Sequence, residues 1–330
     1  MRYIVIGGSG FVGVYTIFAL QEAMQTGRLK QGEILCLDLI PNETLTKQGF
    51  CTFVACDISK TIEFEFLQDD IVIALAARAY APPPPKNIDL ESYFMEVNFY
   101  GTQKIIQKML SNNCTHLVYF STDMVYGKPQ YLPIDSSHPR NPFGWYGKSK
   151  VESENLIFAY RQKGLKATIF RPRIIVGAGR FGILTKLFKL IDSNLPVPLI
   201  GNGKNCYQMI SVLDCAQAII CACAKNCPNC EFNLGSKSPS PIKVLLNTLI
   251  HNAHSKSLLI PTYAKAIKGI LGFLEMCGVH LMYKEQYKIA DEEYIVDISN
   301  AKEILGWEPK YSDEDMLFSA YKEYKKLKTL

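Results

Sequence analysis

Short apolar runs alternate with amphipathic stretches through the first half of the chain. The apolar runs carry no charge and cover residues 3–6, 34–37, 52–55, 71–75, 117–120 and 167–170. Runs of this kind are typical of strands buried on both faces, as in a parallel sheet covered by helices. The stretches between them predict helices over residues 11–24, 90–110 and 146–162. The pattern therefore predicts a doubly wound α/β domain of the Rossmann type.

The regular alternation ends after Arg171. Beyond it the pattern predicts helices over residues 184–191, 213–225 and 244–251, and short strands over residues 232–234 and 294–296. A smaller α/β domain built from separate segments fits these pieces better than a second complete sheet does. We predict an NAD-binding domain over residues 1–171, to which residues 204–230 return, and a substrate-binding domain over residues 172–203 and 231–330.

Three glycines at a three-residue spacing follow the first predicted strand and open the first predicted helix. Gly7, Gly10 and Gly13 allow a tight turn and a close backbone approach to a pyrophosphate, whose charge a helix N-terminus favours. Asp38 ends the second predicted strand, where a carboxylate accepts hydrogen bonds from both ribose hydroxyls and repels a 2′-phosphate. These features predict NAD as the cofactor, with a purely structural glycine turn as the alternative.

Residues after the third and fourth predicted strands extend this interpretation. Asp57 is predicted to hydrogen-bond the adenine amino group or, alternatively, to cap a helix. Ala76 and Ala77 are small enough for a cofactor to lie against the sheet.

Tyr146 and Lys150 are four residues apart on a predicted helix and project from the same face. The Lys150 ammonium is therefore predicted to lower the pKa of the Tyr146 phenol, so that its phenolate works as a general base. Thr122, at the end of the preceding strand, adds a hydroxyl that can hydrogen-bond the same substrate oxygen. A tyrosine and lysine at this spacing often occur by chance, but inside a dinucleotide fold they predict removal of a hydroxyl proton as a hydride leaves the carbon.

Composition narrows the class of protein. The 330 residues are 48% hydrophobic and 20% charged, which excludes a disordered protein. The net charge of +5 is mild and spread along the chain, so no nucleic-acid footprint is predicted. Eleven scattered cysteines do not form the framework of a secreted disulfide protein. Since the first predicted strand begins at residue 3, we expect no secretion signal. No run of about 18 uninterrupted apolar residues occurs, so we expect no membrane-spanning helix, and a cytoplasmic location follows as the default.

Taken together, these motifs resemble the extended short-chain dehydrogenases/reductases, and more narrowly the NAD-dependent epimerase/dehydratase family that acts on nucleotide sugars. The similarity rests on the glycine loop, Asp38, the Leu75-Ala-Ala77 run, the Asn98-Phe-Tyr-Gly-Thr102 run and the Ser-Thr-Asp-x-Val-Tyr-Gly and Tyr-x-x-x-Lys motifs. It continues through residues 170–177, 199–203, 212–214, 232–235 and 297–307, and so covers nearly the whole chain.

The resemblance implies roles for individual residues. Thr122, Tyr146 and Lys150 would be the catalytic triad, with Lys150 also holding the nicotinamide ribose. The implied cofactor-binding residues are Gly7, Gly10, Phe11, Val12, Gly13, Asp38, Asp57, Ile58, Leu75, Ala76, Ala77, Asn98, Tyr146, Lys150, Pro172 and Ile175. The implied substrate-binding residues are Tyr80, Asp123, Met124, Arg173 and Arg180. The resemblance also implies a homodimer joined by a four-helix bundle of the helices that hold Asn98 and Tyr146.

Departures from the family pattern change the expected reaction. The 4,6-dehydratases resembling this stretch carry Asp-Glu where this chain has Asp123-Met124, and Met124 cannot exchange a proton, which argues against dehydration. Arg173 stands where many sugar 4-epimerases have Asn, so the sugar pocket is expected to differ from theirs. Family members commonly carry an arginine just before the Val-x-Asp motif, which is Val212-Leu-Asp214 here, and this chain lacks it. Arg180 is a candidate phosphate clamp or, alternatively, a surface charge.

The leading hypothesis is an NAD-dependent nucleotide-sugar epimerase that works through a transient keto sugar. The alternatives are an NAD(P)-dependent keto-sugar reductase or an alcohol oxidoreductase similar to a 3β-hydroxysteroid dehydrogenase. A nucleotide-sugar dehydratase and a non-catalytic NAD-binding regulator are weaker alternatives. The expected partner is the small-molecule substrate, without nucleic acid.

Two further features have competing interpretations. Cys221, Cys223, Cys227 and Cys230 are close enough in sequence to suggest zinc, but their spacing favours buried or free thiols, and no metal site is predicted. Residues 263–282 form an apolar stretch with few charges. It is interpreted as a helix over the active-site cleft or, alternatively, as a membrane-surface segment.

Overall fold

The apolar runs of the first half form one parallel sheet. A computed structural model describes residues 1–80, 82–182, 184–277 and 282–329. The strands of these residues are β1 (Arg2–Ile6), β2 (Glu33–Asp38), β3 (Thr52–Ala55), β4 (Ile71–Ala74), β5 (His116–Phe120), β6 (Lys166–Pro172), β7 (Ile174–Val176), β8 (Val197–Ile200), β9 (Met209–Ser211), β10 (Glu231–Leu234) and β11 (Leu259–Thr262). Seven of them join in the order β10-β6-β5-β4-β1-β2-β3, every neighbouring pair parallel.

Helices connect these strands and cover the sheet. They are α1 (Phe11–Gln25), α2 (Glu43–Lys47), α3 (Leu90–Met95), α4 (Thr102–Ser111), α5 (Trp145–Arg161), α6 (Leu184–Asp192), α7 (Val212–Ala224), α8 (Ile242–Asn252), α9 (Ala264–Met276), α10 (Lys284–Tyr287) and α11 (Asp313–Thr329). A π-helical segment, Glu96–Gly101, joins α3 to α4.

The strand order reverses between β1 and β4, because β2 and β3 lie on one side of β1 and β4, β5, β6 and β10 lie on the other. In open parallel sheets a crevice forms at such a point outside the carboxyl ends of the strands, and ligands bind there. The glycine loop after β1 and the catalytic candidates after β5 both lie at this edge.

Each face of the sheet is buried under its own hydrophobic cluster. On one face α1 and α7 pack together, and Trp307 joins them from the C-terminal part of the chain. On the other face the cluster includes Ile105 and Met109 of α4 and Ile157 of α5. The two β1 residues Ile4 and Val5 fall in opposite clusters, as alternation along a doubly covered strand requires.

A third cluster fills the smaller region. Residues of α6, α8 and α11 and of strands β8 and β9 contribute to it, among them Phe188, Leu249 and Leu317. Strand β11 pairs with β8, and β7 pairs with β9, so the smaller region holds two short parallel pairs.

The doubly wound sheet is confirmed, and three details of the prediction need correction. Glu231–Leu234 was assigned to the substrate-binding domain, but it pairs with β6 as the edge strand of the large sheet. Residues 294–296 form no strand: Tyr294 and Val296 each make an isolated bridge, to Tyr207 and Ile134. The helix expected over 90–110 is interrupted by the π-helical segment that contains Asn98. The remaining division into domains stays a prediction.

Candidate active site

The glycine loop is packed so closely that side chains would not fit. Gly7 has a φ of +84°, and a Cβ added to it would lie 2.5 Å from the Ala76 backbone nitrogen. A Cβ on Gly13 would overlap the Gly7 carbonyl oxygen and the Gly8 backbone. Leu75 and Ala76 both donate backbone hydrogen bonds to the Ile6 carbonyl (2.8 and 2.9 Å), which holds the end of β4 against the loop. Glycine is required here by both conformation and contact.

The first turn of α1 presents unpaired backbone N–H groups. The residue before it is Gly10, which has no side chain to cap the helix, and Phe11 and Val12 follow as its first residues. Asp38 lies beside the loop and accepts hydrogen bonds from the backbone nitrogens of Ser9 (3.0 Å) and Leu39 (2.7 Å). A side-chain-free cradle, an uncapped helix start and an adjacent carboxylate fit the pyrophosphate and ribose of a dinucleotide.

A second loop covers the glycine loop and forms a cleft with it. The Tyr15 hydroxyl donates to the Ala178 carbonyl (3.1 Å), and Gly10, Phe11 and Arg180 line the cleft. Two predicted residues lie in the chain leading to this loop: Pro172 ends β6 and Ile175 lies in β7. The structure thus brings the segment 172–180 to the cofactor side of the cleft.

The Asp57 side chain makes hydrogen bonds within its own loop. Its Oδ1 accepts hydrogen bonds from the Ser59 nitrogen (2.9 Å) and hydroxyl (2.6 Å), and these hydrogen bonds lower the pKa of the Asp57 carboxyl. Asp57 thus caps a turn and not a helix as the alternative predicted, because no helix follows β3 before β4 begins. Contact with adenine stays a prediction. Ile58 is buried beside Gly101 of the π-helical segment.

Asn98 joins three elements at the buried side of the site. Its side chain accepts a hydrogen bond from the Arg78 nitrogen (2.8 Å) and donates to the Arg78 carbonyl (3.0 Å) and to the Ser149 hydroxyl (2.9 Å). The Ser153 hydroxyl donates to the Asn98 carbonyl (2.8 Å). Asn98 therefore connects the chain after β4 to helix α5. These hydrogen bonds explain why a polar side chain that is only 1% exposed can be buried here.

Tyr146 and Thr122 meet at the carboxyl edge of the sheet. Tyr146 lies in the first turn of α5 and shares a hydrogen bond with the Thr122 side chain. The Thr122 side chain also accepts a hydrogen bond from the Met124 nitrogen (3.2 Å) and so caps a short 3₁₀ helix after β5, Asp123–Val125. Burial raises the pKa of Tyr146 to about 12, while the hydrogen bond from Thr122 and the charge of Arg180 act to lower it. The phenol and the threonine hydroxyl are in place to share one substrate oxygen.

Lys150 is buried on the same helix as Tyr146. Its ammonium donates to the Phe120 carbonyl (2.8 Å) and the Tyr119 hydroxyl (3.2 Å). Burial lowers the pKa of Lys150 to about 7, against the opposing charge of Glu154. Arg180 adds a positive charge that acts to lower the pKa of the Tyr146 phenol, and the effect predicted for Lys150 on that phenol stays a prediction.

Sequence reasoning missed Glu285, which α10 brings to the catalytic helix. Its carboxylate lies at the start of α5, near the backbone N–H groups of Tyr146 and Gly147, and accepts a hydrogen bond from the Tyr80 hydroxyl (3.0 Å). Burial raises the pKa of Glu285 to about 7, although the Tyr80 hydrogen bond and the two N–H groups act to lower it. One signal was available: α5 starts after Gly144, which has no capping side chain, so its free N–H groups need a partner from elsewhere.

An aromatic wall surrounds this carboxylate. Tyr80 stacks on Tyr283 with ring centroids 4.1 Å apart and meets Tyr146 edge to face at 5.8 Å. Phe94 of α3 packs against both Tyr80 and Tyr146. Tyr80, predicted to bind substrate, thus lies next to the candidate base.

Arg173 is buried in an ion pair with Asp123. Its guanidinium lies over the rings of Tyr207 (4.6 Å) and Tyr294 (4.0 Å), and the Tyr294 hydroxyl donates to the Asp123 carbonyl (3.0 Å). Two predicted substrate residues therefore hold each other, and the neighbouring Met124 brings no titratable group. A cation on two aromatic faces stabilises this wall of the cleft.

Two remaining predictions concern metal binding and membrane-spanning helices. Of the cluster at the end of α7, Cys223 and Cys227 are buried and Cys221 and Cys230 are half-buried, all as free thiols. Among the described residues, no group of three or more His, Cys, Asp or Glu side chains is placed to hold a metal ion. Nor does any helix within the described ranges have the length and apolarity needed to cross a bilayer.

The chain is similar to known proteins over most of its length. The model of a family described as "NAD dependent epimerase/dehydratase family" matches residues 3–235. An uncharacterized protein of Sinorhizobium fredii, y4nG, is 31% identical over 251 residues, which cover 73% of this chain and 60% of that protein. This chain therefore spans less than two thirds of that relative. The UDP-glucose 4-epimerase of Lactobacillus helveticus is 25% identical over 351 residues, covering 98% and 97% of the two chains.

Solved structures share the fold. The UDP-glucuronic acid 4-epimerase of Bacillus cereus in complex with NAD superposes with a TM-score of 0.77 at 20% identity, covering 100% of this chain and 98% of that one. DesIV, a dTDP-glucose 4,6-dehydratase of Streptomyces venezuelae with NAD bound, gives a TM-score of 0.78 at 22% identity, with the same coverage. At these identities the likeness shows the architecture alone.

Proposed function

The chain belongs to the NAD-dependent epimerase/dehydratase family, and on that premise we propose that it is an epimerase of a nucleotide sugar. The observation that carries the proposal is that Tyr146 and Thr122 meet at the carboxyl edge of the sheet, near the glycine loop, where the strand order reverses between β1 and β4. A proton-transfer group and a dinucleotide site are then adjacent, as oxidation of a sugar hydroxyl demands.

The residues of this chain fit NAD as the cofactor. Gly7, Gly10 and Gly13 would hold the pyrophosphate with the first turn of α1, and Asp38 would hold the adenosine ribose. Bound NAD would supply a hydride acceptor for the oxidation of a sugar carbon and a hydride donor for its reduction. The negative charge of Asp38 disfavours the extra phosphate of NADP.

Tyr146 moves the proton that accompanies this exchange. With a pKa raised to about 12 the phenol is protonated at neutral pH, so it is ready to return a proton to a sugar oxygen. To remove a proton, the phenolate must be stabilised, and the Thr122 hydrogen bond and the Arg180 charge both act in that direction. Thr122, Tyr146 and Lys150 are the proposed catalytic residues; Lys150, which donates to the Phe120 carbonyl, would also hold the nicotinamide ribose.

The site argues against loss of water as the net reaction. Dehydration requires an acid that protonates a leaving hydroxyl, and Met124 supplies no proton at the place where the dehydratases carry a carboxylate. The neighbouring Asp123 is engaged by Arg173 in a buried ion pair. Inversion of a carbon needs proton exchange at Tyr146, hydride transfer to and from bound NAD, and rotation of the keto sugar so that the hydride returns to its opposite face. None of these steps needs a second acid, so epimerisation is favoured.

A net oxidoreductase is the second candidate. The rings of Tyr80, Phe94 and Tyr283 form an aromatic wall beside Tyr146, and such surroundings suit a less polar alcohol. Steady consumption of added NADH by a keto substrate, without an epimer product, would favour this candidate over the epimerase.

We also propose a homodimer through α5 and the helical stretch α3–α4, as the resemblance implies. Tyr100, on the π-helical segment between α3 and α4, is 50% exposed and is available for such a contact. Light scattering of Tyr100→Asp against the wild type tests this contact.

The test is a screen of single nucleotide sugars by NMR with the purified protein. The proposal predicts that one stereocentre of one sugar interconverts without net consumption of added cofactor, and that denaturation releases bound NAD. A protein that releases no NAD(H) and binds none on titration contradicts the proposal.

A further inference from the structure

Glu285 occupies the space that a glycine leaves at the start of helix α5. Gly144 precedes the helix, and a Cβ added to it would overlap the Glu285 carboxylate oxygen Oε1 and lie 2.9 Å from Cδ. The φ of Gly144 is −138°, in the extended region that any residue adopts, so its backbone conformation does not require glycine. The close approach of the carboxylate does. Gly144 and Glu285 therefore fit each other, although they lie in distant parts of the sequence.

Helix α10 is held in place on both sides of this carboxylate. Tyr283, before the helix, stacks on Tyr80 with ring centroids 4.1 Å apart. Lys288, after the helix, lies over the ring of Phe143 at 5.2 Å from its centroid. The Tyr80 hydroxyl donates to Glu285 itself (3.0 Å). The carboxylate is thus fixed at the first turn of α5, and Glu285 is 2% exposed.

Stability alone does not account for a carboxylate at this position. Within the described part of the chain, the Glu285 oxygen Oε2 is buried without a hydrogen-bond partner. A buried carboxylate that is incompletely hydrogen-bonded destabilises the folded state, and a well-packed apolar side chain of similar size is often more stable. Burial also raises the pKa of Glu285 to about 7. The carboxylate therefore calls for a role beyond packing.

Tyr146 is the residue on which this carboxylate acts. It is the second residue of α5, and a negative charge at a helix N-terminus stabilises the first turn. That turn sets where the phenol lies relative to the Thr122 side chain, with which it shares a hydrogen bond. The charge of Glu285 also acts to raise the pKa of Tyr146, against the charge of Arg180. Glu285 thus bears on both the place and the acidity of the phenol.

Charged and titratable groups face Glu285 from several elements. They are Tyr80 after β4, Asp123 after β5, Tyr146 of α5, Lys284 and Lys288 beside it in sequence, and Glu275 of α9 and Tyr283, which act on Tyr80. Asp123 is held by Arg173 in a buried ion pair, and the two lysines are exposed. Burial and the charge of Glu285 raise the pKa of Tyr80, which keeps its proton. Because the pKa of Glu285 lies near neutrality, this carboxyl changes charge in the range where turnover is measured.

We propose that Glu285 is a positioning residue for Tyr146: its carboxylate fixes the first turn of α5, and its negative charge opposes loss of the phenol proton. The inference rests on the proposed function, since it takes Tyr146 as the group that moves the proton. It gives helix α10 a part in the reaction that acts through Tyr146.

The dependence of turnover on pH tests the effect of the charge. As pH rises through about 7, Glu285 loses its proton, and the new negative charge makes the Tyr146 phenol harder to ionise. Glu285→Gln keeps the shape of the side chain and an oxygen for the Tyr80 hydroxyl, but it carries no charge. The rise of kcat/KM with pH, measured by NMR on the epimerised sugar, should therefore shift to lower pH by about one unit.

Two further variants separate charge from position. Glu285→Ala leaves the first turn of α5 without its carboxylate, and kcat should fall by about tenfold or more while KM changes less. Glu303→Gln removes an exposed carboxylate elsewhere and should keep the pH profile of the wild type. Unchanged NAD content shows that each variant is folded.

A double-mutant cycle tests the contact without reference to any reaction. Gly144→Ala places a methyl where the carboxylate lies, so it should lower the midpoint of urea unfolding of the wild type. In a Glu285→Ala background that space is empty, and the same change should lower the midpoint less.

Each outcome decides a different part of the proposal. Equal effects of Gly144→Ala in both backgrounds would overturn the contact. Coupling in the cycle, together with a Glu285→Gln pH profile like that of the wild type, would overturn the role in proton transfer and leave a helix cap. If the wild type turns over no nucleotide sugar although the cycle shows coupling, the proposed function fails instead.

Discussion

The two ends of the catalytic cleft are built in different ways. The cofactor end comes from one contiguous stretch, the loop between β1 and α1, completed by Asp38 at the end of the next strand. The proposed substrate end comes from residues scattered over the chain: Tyr80 after β4, Arg173 after β6, and Glu285 on α10.

The difference shows which kind of binding site a short sequence motif can encode. A pyrophosphate is bound by backbone N–H groups, so its site needs a backbone shape, and glycines at fixed spacing encode that shape. A substrate is bound by side chains, and any segment that reaches the cleft can supply them. The hydroxyl of Tyr146 lies, beside that of Thr122, where the two ends meet.

Removing that hydroxyl should have the largest effect. Tyr146→Phe keeps the ring that packs on Tyr80 and Phe94. Turnover should fall by about 10²–10⁴-fold because general acid–base catalysis is lost, while bound NAD remains. The NMR assay and NAD released on denaturation measure the two quantities. Activity equal to the wild type would remove Tyr146 from the catalytic role.

Glu285→Gln should change how stability depends on pH. The folded-state pKa of Glu285 is about 7 against an ordinary 4.5, so the folded protein holds a proton that the unfolded chain loses across this window. This carboxyl therefore makes the folded state less stable as pH rises from 4.5 to about 7, by about 3 kcal/mol.

The Glu285→Gln variant should lack that fall. Urea unfolding of both proteins across the window measures the difference between them, in which the contributions of all other groups cancel. Glu303→Gln, an exposed carboxylate, is the control and should follow the wild type. A constant difference between Glu285→Gln and the wild type would contradict the buried position of Glu285.

Gly13→Ala should weaken the cofactor end. The new methyl would overlap the Gly7 carbonyl, so the backbone must shift, and we expect a loss of about 1–3 kcal/mol in stability together with lower NAD content. Gly269→Ala on α9 is the control, because its methyl meets no atom within 4 Å. If Gly13→Ala and the wild type had the same NAD content and the same midpoint of unfolding, the glycine loop would be less tightly packed than described.

Asp38→Asn should have the smallest effect. Removing one negative charge relieves repulsion of a 2′-phosphate, and the preference for NAD over NADP should fall by about tenfold. Titration of the cofactor-free protein with each dinucleotide measures it. An unchanged preference would place the ribose elsewhere.

The sequence predicted the sheet because its strands are buried on both faces and appear as uncharged runs. It placed Gly7, Asp38 and Tyr146 because their roles need fixed spacing. It did not reveal Glu285, since a long-range cap on α5 has no local pattern. It also assigned Glu231–Leu234 to the wrong region, because a short apolar run does not say which sheet it joins. The hydrogen bond from Lys150 to the Phe120 carbonyl was not predicted either, because spacing sets a shared helix face but not where an ammonium finds its hydrogen bonds.

The central claim is that one sugar carbon gives up a hydride and regains the same one in the cleft beside Tyr146. A nucleotide sugar that the protein epimerises, carrying deuterium at the inverted carbon, tests it in ordinary water. The account predicts that the epimer keeps its deuterium, because the hydrogen never exchanges with solvent. An epimer whose deuterium has been replaced by hydrogen from water would contradict the account.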